Sequence, residues 1–150
     1  MRELNLELNL KAKTSVKINS MTKKHTRFII IDDDPINNLL CSKNIRKTVQ
    51  DADIITFIEA EKALQYIKSN FNEPNAGNAI LFLDINMPTM TGWEFLEQFE
   101  KINATIKNHI SIYMLSSSIS QDDKQKAKIH PDVIEYIEKP LSIEVLKMLI

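Results

Sequence analysis

Residues 79–96 read AILFLDINMPTMTGWEFL, and the fold turns on how this stretch is parsed. Five apolar residues, Ala79 to Leu83, run straight into Asp84, and from Gly92 onward Phe95, Leu96 and Phe99 recur at the interval of a helical face. An apolar run that short reads as a strand covered on both faces, since a membrane span needs roughly 20 such residues. The stretch is therefore strand, acidic loop, helix. Reading outward in both directions, the same alternation returns.

Strand-like runs stand at Phe28–Ile31, Asp53–Phe57, Ser111–Leu115 and Val133–Ile137. Helical spacing follows at Ile36, Leu39, Leu40 and Lys43, and again at Ala60, Ala63, Leu64, Ile67 and Phe71, with each apolar stripe expected to face the sheet. Five repeats of strand and helix are the pattern of an α/β fold with a parallel sheet. Boundary residues agree. Asp34 can cap a helix that opens on Pro35, Ser120 and Asp123 resemble a capping pair, Pro131 stops the helix before it, and Ser142 opens the last one. The helix from Gln121 to Lys128 holds Ala127 as its one apolar residue and is expected to be loosely held. Asn, Pro and Gly between Ser69 and Asn78 predict a solvent loop.

The chain has 150 residues, enough for one domain with a sizeable core. Nineteen basic against twenty acidic residues leave a net charge of −1, which provides no global field for nucleic acid or anionic lipid. A single cysteine, Cys41, cannot close an internal disulfide; it reads as a small buried hydrophobe. A cytoplasmic setting without membrane insertion is expected. Residues 1–26 contain no glycine, proline or aromatic residue and read as a disordered extension, leaving residues 27–150 as the domain. His25, His109 and His130 show no convergent partners and read as solvated, and Trp93 reads as a packing residue.

In an open parallel sheet, ligands bind at the carboxyl ends of the strands. Those positions hold Asp32, Asp33 and Asp34 after the first strand, Asp84 and Asn86 after the third, Ser116 to Ser118 after the fourth, and Glu138 and Lys139 after the fifth. Two carboxylates about 4 Å apart repel by about 4 kcal/mol at the effective dielectric near a protein surface, so acids converging on one rim call for a cation. All donors are oxygens, which excludes zinc and favours Mg²⁺, Mn²⁺ or Ca²⁺; few carboxylates with room for water suit Mg²⁺. Lys139 and Ser116 add the ammonium and hydroxyl that hold a phosphoryl oxygen. The only glycines are Gly77 and Gly92, so no glycine-rich phosphate cradle exists, and the phosphoryl group is small or carried by the protein. Asp84 is the best-placed nucleophile.

Four motifs in order, FIIIDDDP, ILFLDINMPTMTGWEFL, IYMLSSS and EYIEKPL, resemble the receiver domain of two-component response regulators. The resemblance implies a flavodoxin-like, doubly wound (βα)5 three-layer sandwich whose five parallel strands take the order 2-1-3-4-5. It implies Asp33 as the direct Mg²⁺ ligand, with Mn²⁺ an alternative, Asp32 as its water-mediated companion, and Asn86 contributing its backbone carbonyl. Asp84 becomes the phospho-acceptor, served by a sensor histidine kinase or a histidine phosphotransfer protein. Ser116 and Lys139 hold the phosphoryl group, Tyr136 is the switch aromatic that turns inward as the hydroxyl moves, and Pro140 follows the lysine in a cis peptide. Three features depart from the family: Ile129 to Asp132 replace its small-residue approach to the fifth strand, the segment from Ser69 to Asn78 is longer than the family requires, and Thr91 precedes Gly92 where an Asp or Asn is common.

This reading predicts a stand-alone receiver that signals to a downstream protein target. Eleven residues after Lys139 are too few for a DNA-binding output module. Two other classes fit less well. A pseudo-receiver interaction module would not need the intact acids and lysine. A Mg²⁺-dependent aspartyl phosphatase wants a second acid two residues after its nucleophile, where this chain has Asn86.

Overall fold

A computed structural model describes residues 26–118 and 120–150. Its elements are β1 (Thr26–Ile31), α1 (Pro35–Thr48), β2 (Asp53–Phe57), α2 (Ala60–Asn70), β3 (Asn78–Asp84), α3 (Gly92–Glu100), α4 (Ala104–Lys107), β4 (Ile110–Ser116), α5 (Gln121–Ile129), β5 (Val133–Glu138) and α6 (Ile143–Leu149). The extension expected over residues 1–26 lies outside the described residues except for Thr26, which opens β1.

The five strands form one sheet of order β2-β1-β3-β4-β5, and every neighbouring pair is parallel. Because successive side chains point to opposite faces, β1 feeds two cores. Phe28 and Ile30 pack with Cys41 and Ile45 of α1 and with Leu146 and Leu149 of α6; Ile29 and Ile31 pack with Ala63, Leu64 and Ile67 of α2 and with Phe95 and Phe99 of α3. Ala127 of α5 joins the second cluster, so helices cover both faces and the sandwich has three layers. The fold expected from the motifs is the fold observed.

Three details differ from the sequence reading. Three of the strands, β3, β4 and β5, run one residue further at their carboxyl ends, so Asp84, Ser116 and Glu138 are their last residues rather than the first of the loops. Ladder bonds hold them there: Ile85 N–H donates to Leu115 O at 3.2 Å and Lys139 N–H to Ser116 O at 2.9 Å. A short helix, α4, lies between α3 and β4, opened by Asn103, whose side chain accepts from Thr105 N–H at 2.9 Å.

The third difference is the face that α1 buries. Ile36, Leu39 and Leu40 are 65%, 54% and 51% exposed, while Asn38, Cys41, Ser42 and Ile45 are buried. The apolar stripe expected to meet the sheet faces outward. Asn38 decides this orientation: its Nδ2 donates to Asp32 O at 2.9 Å and to Phe57 O at 3.3 Å, tying the helix to the ends of β1 and β2. Ser42 Oγ in turn donates to Asn38 O at 2.8 Å. Buried polar groups are tolerated when bonded, and these bonds reach the backbone only from the polar side of α1.

Candidate functional site at the carboxyl rim of the sheet

β1, β3, β4 and β5 end side by side, and residues at or just past their ends converge. Asp32 and Asp84 are buried at 3% and 5% exposure, Ser116 is fully buried, and Asp33 is exposed at the mouth. Carboxylate oxygens of Asp32, Asp33 and Asp84 lie within 4.8 Å of one another. Lys139 enters from β5: its Nζ donates to Asp32 Oδ2 at 2.6 Å and lies 3.2 Å from Asp84 Oδ1. The lysine thus bridges the first and third strand ends, with its side chain 14% exposed.

The loops fix these groups locally. Asp32 Oδ1 accepts from Asp34 N–H at 2.9 Å, and Asp34 caps α1 by accepting from Ile36 N–H at 2.9 Å. Asp84 Oδ1 also accepts from Asn86 N–H at 3.4 Å, while the Asn86 residue is exposed. The Lys139–Pro140 peptide is cis. Ser116 Oγ accepts from Ser118 N–H at 3.1 Å. Beside Asp33 opens a hollow of about 160 Å³, walled by Ile58, Glu59, Met87, Pro88 and Met90.

The electrostatics are unbalanced, with three carboxylates facing one ammonium. Burial raises the carboxyl of Asp84 above the ordinary aspartate range, and the Asp32 charge adds to this against the opposing pull of Lys139. Burial also pulls the Lys139 ammonium down, but Asp32 and Asp84 outweigh it and hold the net value above the ordinary one. Cys41, behind the nest, is pushed up to about 11 by burial and by Asp32.

A hard divalent cation fits the donor set. Both Asp32 oxygens already have protein partners, at Asp34 N–H and Lys139 Nζ, whereas Asp33 offers its carboxylate at the exposed side of the same nest. The remaining charge excess is of the kind a cation relieves.

Sequence reasoning missed two supports. Gly92 lies so close to the acceptor strand that a Cβ there would sit 2.6 Å from Asp84 O and 3.0 Å from both the Cα of Ile85 and the terminal methyl of Met114. Its N–H donates to Ile85 O at 2.8 Å, so only glycine lets α3 start against the end of β3. The scarcity of glycine in the chain was the available signal. Asn38, which buttresses the Asp32 loop, had none, because an asparagine inside an apolar spacing reads as solvent-facing.

Tyr136 lies inward, at 7% exposure, with its hydroxyl donating to Ser118 O. One histidine reading changes. His130 does have partners: Nδ1 accepts from Asp132 N–H at 3.2 Å and Nε2 lies 3.1 Å from Glu100 Oε1. His109 is half-buried with its ring 6.5 Å from that of Phe71, and His25 lies outside the described residues. Among the described residues no helix is long and apolar enough to cross a membrane.

Comparison with known proteins follows the same lines. A search of curated proteins gives no match. Among solved structures, a two-component response regulator from Cytophaga hutchinsonii is similar at 31% identity, covering 85% of this chain and 95% of that one with a TM-score of 0.76. A response regulator receiver protein from Dyadobacter fermentans DSM 18053 is similar at 27% identity, covering 83% and 94% with a TM-score of 0.76. The Vibrio cholerae chemotaxis protein CheY4, at 22% identity, 83% and 94% coverage and a TM-score of 0.65, shares the fold. The family model of the response regulator receiver domain matches residues 28–150, a span that takes in the whole acidic rim. On that match, and on the shared fold, the chain belongs to the family of response regulator receiver domains of two-component systems.

Proposed function

We propose that this receiver accepts a phosphoryl group on Asp84 from a phosphohistidine of a sensor histidine kinase or phosphotransfer protein, and signals through a face that a downstream protein reads. One observation carries the reading: the Lys139 ammonium lies between Asp32 and Asp84, 2.6 Å from one and 3.2 Å from the other, at the strand end next to the buried hydroxyl of Ser116.

The chemistry follows from the rim. A carboxylate oxygen of Asp84 forms the O–P bond while the P–N bond to histidine breaks, its electron pair returning to the imidazole nitrogen, which then takes a proton from solvent. Lys139 and Ser116 hold phosphoryl oxygens, Lys139 shifting from the carboxylates toward the new charge. Burial keeps bulk water from the acyl phosphate, and the exposed hollow beside Asp33 admits the donor. Mg²⁺, or Mn²⁺ in its place, would be held by Asp33, Asp84 and the Asn86 carbonyl with Asp32 behind, and supplies neutralisation of acids and phosphoryl oxygens. Asn86 stands where a phosphatase would need a general acid, which disfavours turnover of a free substrate. The face of α5, β5 and α6 is the output surface, and a cytoplasmic location suits a soluble phosphodonor.

Incubation with Mg²⁺ and acetyl phosphate, read by intact mass, tests the assignment. Wild type should gain one phosphate-sized increment and Asp84→Ala none. A gain that persists in Asp84→Ala overturns it.

A further inference from the structure

The helix expected to be loosely held is instead fastened by side chains. α5 buries only Ala127, yet its first turn is gripped by α3: the Trp93 indole N–H donates to Asp123 Oδ1 at 3.0 Å, and Lys126 Nζ lies 4.4 Å from the Trp93 ring centroid. At the far end of α5, His130 reaches Glu100 of α3 and lies with its ring 6.5 Å from that of Trp93. An indole donor on a carboxylate and a lysine over an indole face are both attractive, and here one ring supplies both.

The grip continues toward the rim. Asp123 N–H donates to Ser120 Oγ at 3.2 Å, so the residue that Trp93 holds also anchors the cap of α5. Two residues earlier, Ser118 presents its carbonyl to the Tyr136 hydroxyl and its N–H to Ser116 Oγ. Lys124 lies 5.8 Å from the Tyr136 ring centroid, on its α5 side. So the turn that Trp93 holds at Asp123 also sets Lys124 against the Tyr136 ring, and Ser118 bonds the hydroxyl of the same ring.

We infer that Trp93 is a positioning residue: its grip on the first turn of α5, and through Lys124 on the Tyr136 ring, favours the inward position of Tyr136. The inference rests on the receiver reading, in which the inward ring is the state that phosphate favours. Linkage then sets the sign. Whatever stabilises the state a ligand prefers tightens that ligand, so loosening the grip weakens phosphoryl binding although Trp93 does not touch the acids.

Beryllofluoride with Mg²⁺, a phosphoryl mimic, is the probe, and calorimetric titration gives its dissociation constant. Trp93→Phe, which keeps a ring and loses the N–H, should weaken binding about three- to fivefold, and Asp123→Ala should match it. The double variant should be no weaker than either alone, because both remove one contact. Asp123→Asn, which keeps an acceptor oxygen, should restore most of the affinity. Nuclear magnetic resonance of the ligand-free Trp93→Phe protein should show Tyr136 sampling an outward position. Asp123→Ala lies on a polar helix surface and tests the same contact should Trp93→Phe fold poorly. Unchanged or tighter binding in Asp123→Ala, or a Tyr136 signal that does not move in either single variant, overturns the inference while wild-type binding upholds the receiver reading. A wild type that neither binds beryllofluoride nor gains phosphate mass overturns both.

Discussion

The two ends of the same sheet carry acids in opposite circumstances. At the amino ends, Asp53 opens β2 opposite Arg27 of β1 in the strand register, and Arg27 Nε donates to Asp53 Oδ2 at 2.6 Å while its Nη1 donates to the Tyr66 hydroxyl. One cation meets one anion, and both are partly in water, their side chains 34% and 52% exposed. At the carboxyl ends, Asp32, Asp33 and Asp84 meet one ammonium among the described residues, that of Lys139, and two of the three acids are buried. A balanced, wet pair is a structural convenience worth about 0–1 kcal/mol. An unbalanced, buried group costs stability, and such groups mark where a ligand is expected to complete the charge.

Lys139 is the one cation of the rim among the described residues, and removing it should have the largest effect. Lys139→Met leaves Asp32 and Asp84 buried without a partner and should lower the unfolding free energy by about 3 kcal/mol near neutral pH, measured by urea denaturation. A loss no larger than that of Asp53→Asn would erase the contrast between the two ends.

Adding a cation should act in reverse. Mg²⁺ at about 100 times its dissociation constant should stabilise the wild type by about 2.7 kcal/mol, seen as a rise in melting temperature. Asp33→Asn should lose most of that rise, whereas Asp53→Asn should keep it.

A smaller effect is expected from pH. Because the folded-state value of Asp84 is raised, the folded chain holds that proton where the unfolded chain has released it. Stability contributed by this group without metal is therefore full below the ordinary aspartate value and declines as pH rises through the raised one. Mg²⁺ affinity should rise over the same window, since the cation competes with the proton. Denaturation at several pH values with and without Mg²⁺ checks both slopes; an apo stability that climbs through this window in wild type but not in Asp84→Asn would reverse the sign.

The smallest change belongs to the balanced end. Asp53→Asn should shift the unfolding free energy by less than about 1 kcal/mol and leave phosphate uptake from acetyl phosphate unchanged.

Much of this was legible in the chain. Apolar runs buried on both faces announce themselves by composition, and the acids, hydroxyl and lysine follow those runs at intervals that bring them to one rim. Local chemistry was equally readable at Asp34, Ser120 and Ser142, whose side chains accept from N–H groups in the first turns of α1, α5 and α6. These features depend on neighbours in sequence, or on a period that the sequence displays.

Other features depend on partners far along the chain. Ile36, Leu39 and Leu40 had the spacing of a buried stripe, yet α1 turns them outward because Asn38 binds carbonyls at the ends of β1 and β2. A polar helix read as loosely held is tied to Trp93, thirty positions before its Asp123 partner, and His130 finds Glu100 across the same gap. The residue types alone determined a parallel sheet with an acid rim, since burial and charge repulsion act on them wherever they lie. Which polar groups meet across helices was settled only by the folded chain, because a hydrogen bond needs two atoms about 3 Å apart in a set direction, and no one-dimensional spacing encodes that.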